Sequence, residues 1–112
     1  RQSGTYWYHA HTLAEQTGAD VLGTIRYFGE RDKLNHCHFR NVKGCVPRFD
    51  ESFIDDGDVD MYEAMKVYKE VGYRHCLMPD HVPAMVDDPK GRASCAYAVA
   101  YIRALLHVVG AL

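Results

Sequence analysis

The feature that most constrains this chain is alternation: segments that read as strands are separated by segments whose apolar residues recur at helical spacing. Residues 5–9, "TYWYH", are aromatic and β-prone after a Ser-Gly turn and predict a strand. Val21, Leu22, Ile25 and Phe28 then fall on one helical face, with Gly29 as the stop. "LNHCHF" over residues 34–39 predicts a second strand, and the polar run "RNVKGCVPRFDESFIDDGDVD" over 40–60 predicts a loop. Met61, Met65, Val67, Tyr68 and Val71 give the next helix, capped by Asp58 or Asp60 and ended by Gly72. "YRHCLM", 73–78, is a third strand. From 93 to about 109, Tyr97, Tyr101, Leu105 and Val108 form a stripe widened by Val99, Ile102 and Leu106, which predicts a long, largely buried helix.

Strands alternating with helices in this way indicate an α/β fold with a parallel sheet covered by helices. In such folds the functional groups sit at the C-terminal ends of the strands. The polar candidates fall there: His9 and His11 after the first strand, His38, Arg40 and Asn41 after the second, Asp80 and His81 after the third. One sheet edge is expected to bring them together.

Composition narrows the function classes. With 112 residues, 47% of them apolar, the chain has material for one core. Its net charge of -2 is spread without a basic stripe, so nucleic acid is not an expected partner. No apolar stretch approaches the roughly 20 residues that cross a bilayer, and no leader with a cleavage site is visible, so a soluble, cytoplasmic protein is expected. The four cysteines, Cys37, Cys45, Cys76 and Cys95, lack the spacing of a zinc site and the density of a disulfide scaffold, and reduced thiols are expected. The first residue is Arg1, which suggests that sequence is missing upstream.

Imidazole nitrogens and carboxylate oxygens from several strand ends suit Mn, Fe or Zn with open positions, although any single histidine there also fits a hydrogen-bonded structural role. Arg40, in "HFRN", can clamp a substrate carboxylate in bidentate fashion or serve in a loop ion pair with a nearby acid. The acid run "DESFIDDGDVD" departs from EF-hand spacing and reads as a solvated loop plus a helix cap. Tyr97, in its apolar stripe, reads as core.

Several ordered motifs then become recognisable: "TIRYFGERDKLNHCHFRNVKG", "RFDESFIDDGDVDMYEAMKVYKEVGY", "MPDHVPAM" and "AYAVAYIRALL". Over roughly residues 18–106 the chain resembles the C-terminal part of the mannonate dehydratases. The resemblance implies about the last three βα units of a (β/α)8 TIM barrel, a fold that typically needs about 250 residues. Residues 1–112 would form one partial barrel domain, with 1–17 standing apart from the resemblance. It also implies Mn²⁺ or Fe²⁺ and the dehydration of D-mannonate to 2-keto-3-deoxy-D-gluconate in glucuronate breakdown. By resemblance, His38 and Asp80 are metal ligands, His81 and Tyr97 the catalytic acid–base pair with their two roles unassigned, and Arg40 and Asn41 position the sugar acid.

The chain departs from the family pattern where a ligand cysteine is expected; Ala10 aligns there without gaps, and either a one-residue shift brings in His11 as a replacement metal ligand or that ligand position is lost. Another family ligand, a histidine from an earlier strand, lies outside the chain. The isolated chain is therefore expected to be inactive, and an unpaired sheet edge is expected to favour homo-oligomers. A non-catalytic α/β remnant or interaction module is the alternative. "SGTYWYHAHTLAEQTG" also resembles the copper-binding HxH segment of multicopper oxidases, but the "HCH" at 36–38 lacks the further histidine of their second motif, with Val42 in its place, and those enzymes are all-β.

Overall fold

The computed structural model describes residues 20–112. The strand expected at 5–9, with His9 and His11, lies outside the described residues. Helix α1 (Val21–Gly29) starts at Asp20, whose carboxylate accepts from the Gly23 N–H at 2.8 Å. Strand β1 (Cys37–His38) follows, then β2 (Val42–Cys45), β3 (Arg48–Glu51), α2 (Met61–Glu70), β4 (Leu77–Met78) and α3 (Arg92–Val108).

The expected parallel pairing is present. β1 and β4 lie side by side in parallel, Cys37 opposite Leu77 and His38 opposite Met78, and the Phe39 N–H donates to Met78 O at 2.8 Å. Helix α2 is the crossover between them, which is the connection a parallel pair requires. α1 packs on α2, and α2 on α3. The core lies between these helices and the strand pair: Ile25, Phe39, Met65 and Tyr68 are buried, and the Phe39 and Tyr68 rings lie 6.0 Å apart. Burying a side chain such as Phe39 or Met65 contributes roughly 1.5–3 kcal/mol. Cys37 is also buried, and its thiol donates to Tyr68 Oη at 2.9 Å. All four cysteines are free thiols, as expected.

Three expectations are corrected. The segment 40–60 is not simply loop, since β2 and β3 form an antiparallel hairpin with Val42 opposite Glu51 and Cys45 opposite Arg48. Its two-residue turn holds the cis Val46–Pro47 bond, and Gly44 takes φ +83°, where an added Cβ would meet Arg48 O at 2.7 Å. All four β3 residues are exposed, so the strand carries no apolar alternation to betray it. Gly29 is not the stop of α1 but its last, buried residue, and a Cβ there would lie 2.4 Å from Val71 Cγ2. The exit is made by Asp32 at φ +52°, with the Lys33 N–H on Phe28 O and the Asp32 N–H on Gly29 O.

The last helix is less buried than its apolar content predicts. Its inward stripe is Ser94, Ala98, Ile102 and Leu105, while Tyr97, Val99 and Val108 are exposed. The alternatives for the α2 cap resolve to Asp60, which accepts from the Glu63 N–H; Asp58 instead accepts from the Gly44 N–H at 2.7 Å. Gly72 does end α2, at φ +73°, with the Tyr73 N–H on Tyr68 O and its own N–H on Lys69 O.

Candidate active site

The strand pair delivers the histidines and acids. β1 ends at His38; beside it β4 ends at Met78, and Pro79 leads into Asp80 and His81. Proline fixes φ and offers no N–H, so strand pairing stops where these side chains begin. His38 Nδ1 lies 3.0 Å from Asp80 Oδ2, and His81 Nε2 lies 3.0 Å from the same oxygen. The opposite ring nitrogen, His81 Nδ1, sits against Glu51 Oε1. Arg40 Nη1 donates to that oxygen at 2.8 Å. Five side chains from β1, β3 and the two strand-end loops are thus linked in one series: His38, Asp80, His81, Glu51, Arg40.

Arg40 is buried and charged, which is tolerable because Glu51 supplies a carboxylate partner. Of its two sequence readings, the ion pair with a nearby acid is present, and Arg40 also borders a crevice of about 10 Å³, room for about one water, with Asn41, Ser52, Phe53, His81 and Tyr97. Asn41 is fully engaged with backbone. Its amide donates to Ile54 O at 3.0 Å and Val59 O at 2.9 Å, and its Oδ1 accepts from the N–H groups of Val42 and Val59. That side chain fastens the loop after β3 to the end of β1.

Tyr97 is 44% exposed, which corrects its reading as core: the helix turns this residue toward the crevice, and Ala98 takes the buried position. Its hydroxyl donates to Asp55 Oδ2 at 2.6 Å and its ring meets Phe53 edge-on at 5.6 Å. The hydrogen bond to Asp55, then burial, then the charge of Asp55 hold the phenol above the usual tyrosine range. The His81 loop is anchored to α3: Ser94 Oγ donates to Pro83 O at 2.7 Å, and the Asp88 carboxylate accepts from the N–H groups of Arg92, Ala93 and Ser94.

Three residues of this arrangement were not singled out from the sequence. Glu51 and Asp55 belong to the acid run read as solvated; the hairpin register carries Glu51 to Arg40, and the loop after β3 carries Asp55 to Tyr97. Ser52 Oγ is buried without a protein partner and lines the same crevice. The one available signal was that an arginine beside a strand end needs an acid; nothing in the spacing says which acid.

A model of the family described as "D-mannonate dehydratase (UxuA)" matches residues 9–111. The chain belongs to the mannonate dehydratase family. Among the relatives of known name, mannonate dehydratase 2 of Halalkalibacterium halodurans is 34% identical over 84 residues, covering 72% of this chain and 24% of the relative. Mannonate dehydratase of Streptococcus agalactiae serotype V is 40% identical over 65 residues, covering 55% of this chain and 19% of its own length. The crystal structure of mannonate dehydratase from Streptococcus suis serotype 2 superposes with a TM-score of 0.82 at 25% identity, over 92% of this chain and 32% of that one. The chain therefore spans about a fifth to a third of the mannonate dehydratases it matches. Helices α1–α3 also separate it from the all-β oxidases that "SGTYWYHAHTLAEQTG" resembles.

The divalent cation implied by the mannonate dehydratase resemblance finds a partial fit. His38 Nδ1 and Asp80 Oδ2 are close enough to serve one ion, and imidazole with carboxylate suits Mn²⁺ or Fe²⁺. Among the described residues no three His, Cys, Asp or Glu side chains gather into a metal-holding group. His11, the expected third ligand, lies outside the described residues. Among those residues, no helix is long and apolar enough to cross a membrane.

Proposed function

We propose that this chain is the C-terminal portion, about three βα units, of a (β/α)8 barrel that dehydrates D-mannonate to 2-keto-3-deoxy-D-gluconate and water, in glucuronate catabolism in the cytoplasm. The observation that supports it most is the meeting of His38, Asp80, His81 and Arg40 at two paired parallel strand ends in a chain of this family. That is the edge where a barrel of this kind carries its chemistry.

The reaction removes a weakly acidic proton α to a carboxylate and expels a β-hydroxyl. Mn²⁺ or Fe²⁺, held by His38, Asp80 and further ligands with His11 among the candidates, would supply charge stabilisation at the substrate oxygens. Arg40 binds and orients the sugar-acid carboxylate, and Asn41 keeps the adjoining loop in place. His81, with both ring nitrogens facing carboxylates, exchanges a proton with substrate. Tyr97 retains its phenolic proton through Asp55 and serves as the acid that accompanies hydroxide departure.

As an isolated chain it is inactive, because only two candidate ligands come together among the described residues. It self-associates: the parallel sheet of the described residues has two strands, and sheet edges invite pairing. The test is a Mn²⁺ titration followed by electron paramagnetic resonance, with a D-mannonate turnover assay on the same sample. Stoichiometric binding lost in Asp80→Ala, without turnover, is expected. Turnover by the chain alone overturns the inactivity. Absence of Mn²⁺ binding overturns the metal site and favours a non-catalytic α/β module.

A further inference from the structure

The crevice beside Tyr97 lies past the end of β4; a far larger cavity, of about 460 Å³, lies toward the start of that strand. Its size falls within the range of about 300–1,000 Å³ that small-molecule sites occupy. Its floor is apolar, made by Leu77 of β4 with Ile102 and Leu106 of α3. Its wall is the segment that enters β4. The Tyr73 hydroxyl donates to Cys76 O at 2.7 Å, which ties that turn, and the Tyr73 ring meets His75 edge-on at 5.6 Å. The backbone that bears Arg74 is thereby fixed at the rim.

The charged groups of this cavity are all of one sign. Lys69, Arg74 and Arg103 line it, and no Asp or Glu does. Lys69 is engaged, since its Nζ donates to Val109 O. Arg74 and Arg103 make no ion pair with an acid among the described residues. Two effects work against an anion here. Helices α2 and α3 both end on this side, and helix C-termini carry partial negative charge. Lys69 on Val109 O offsets the end of α3, and the Ala111 N–H takes up Leu106 O. The second effect comes from a neighbouring cavity across Arg74 and His75, which holds Glu30 and Asp32. Arg103 is no part of that neighbour, so the side of Arg74 that favours an anion is the side shared with Arg103.

Guanidinium groups pair with a carboxylate in bidentate fashion, and an apolar floor favours burial of a hydrocarbon body. We propose that this cavity binds a small amphiphilic carboxylate, its apolar body on Leu77, Ile102 and Leu106 and its head between Arg74 and Arg103. The site is separate from the chemistry assigned to His81 and does not depend on it. The probe is octanoate, with octanamide as its neutral counterpart and acetate as the head without a body. Isothermal titration of the native chain at low ionic strength is expected to show one saturable octanoate site. Octanoate should bind about ten-fold or more tighter than either control, the factor that a charge-assisted contact supplies. Arg74→Gln and Arg103→Gln keep most of the side-chain stem at exposed positions, so the fold is expected to stand. Each should weaken octanoate by about ten-fold and leave octanamide unmoved. Methyl resonances of Leu77 and Leu106 should shift with octanoate and stay in place with acetate. Equal affinity for octanoate and octanamide overturns the proposal and leaves an apolar face suited to another protein surface. Absence of saturable octanoate binding, or binding that survives both arginine changes, overturns it equally.

Discussion

Asp80 Oδ2 stands 3.0 Å from His38 Nδ1, across two parallel strands whose last residues, His38 and Met78, lie directly opposite each other. The pair is therefore set by strand register on the His38 side and by the short segment after β4, which Pro79 opens, on the Asp80 side. Replacing either side chain by alanine should weaken Mn²⁺ binding by more than about 10–100-fold, the loss typical of removing even a supporting group from a metal site. Isothermal titration of both variants checks it, and equal affinity in His38→Ala and the native chain would remove His38 from the site.

Asn41→Ala should be among the most destabilising single changes in the chain. It strips four hydrogen bonds and leaves carbonyls of Ile54 and Val59 and N–H groups of Val42 and Val59 in want of partners. Each buried group left unsatisfied costs about 1–3 kcal/mol, so a total of roughly 3 kcal/mol or more is expected, read from urea denaturation. A loss below about 1 kcal/mol, no more than one ordinary hydrogen bond, would show that water replaces the amide.

Gly29→Ala tests the contact of α1 with α2. Alanine favours a helix interior by up to about 1 kcal/mol over glycine. Here its Cβ would lie 2.4 Å from Val71 Cγ2 and 2.7 Å from Val71 Cβ, and such overpacking costs typically 1–3 kcal/mol. A net loss is expected, relieved in the double variant Gly29→Ala with Val71→Ala. Additivity of the two changes would refute the contact.

Burial pushes the Cys37 thiol from 9.0 up to about 12. Below pH 9 folded and unfolded chains both keep the proton, and the contribution to stability is whole. From pH 9 toward 12 the unfolded chain releases a proton that the folded chain retains, so stability falls as pH rises, by about 1.4 kcal/mol per pH unit from this group. Chemical denaturation from pH 8 to about 10.5, compared with Cys37→Ala, isolates the term. The same thiol should resist alkylation until the chain unfolds.

The phenol of Tyr97 should titrate above an ordinary tyrosine, because Asp55 accepts its proton and repels the phenolate. Ultraviolet difference titration against Tyr97→Phe isolates it. Asp55→Asn should bring the midpoint down, and an unmoved midpoint would mean that the hydrogen bond is absent in solution.

Legibility differed by the kind of force involved. The three helices and the parallel neighbours were readable because apolar periodicity and glycine stops record burial along one segment, as Ile25 and Met65 do. The hairpin was not, since β3 is exposed throughout and held by backbone pairing that leaves no side-chain pattern. His38, Arg40, Asp80 and His81 could be placed from strand ends alone. Glu51 reaches Arg40, Asp55 reaches Tyr97 and Ser52 reaches the crevice through that hairpin and the loop after it, so no local spacing announces them. Tyr97 was misplaced because its stripe is apolar by composition, while the residue one step along, Ala98, is the one that packs.

Asp88 touches none of the groups assigned to chemistry, yet it secures three N–H groups at the start of α3 and, with Ser94 Oγ on Pro83 O, closes the far end of the segment that bears His81. That segment is thus clamped like a bridge between two piers, and its span admits no change in length. Insertions or deletions between Pro79 and Asp88 would re-aim the imidazole without altering a single site residue, so a changed loop length here would undo the arrangement while leaving its sequence signature intact.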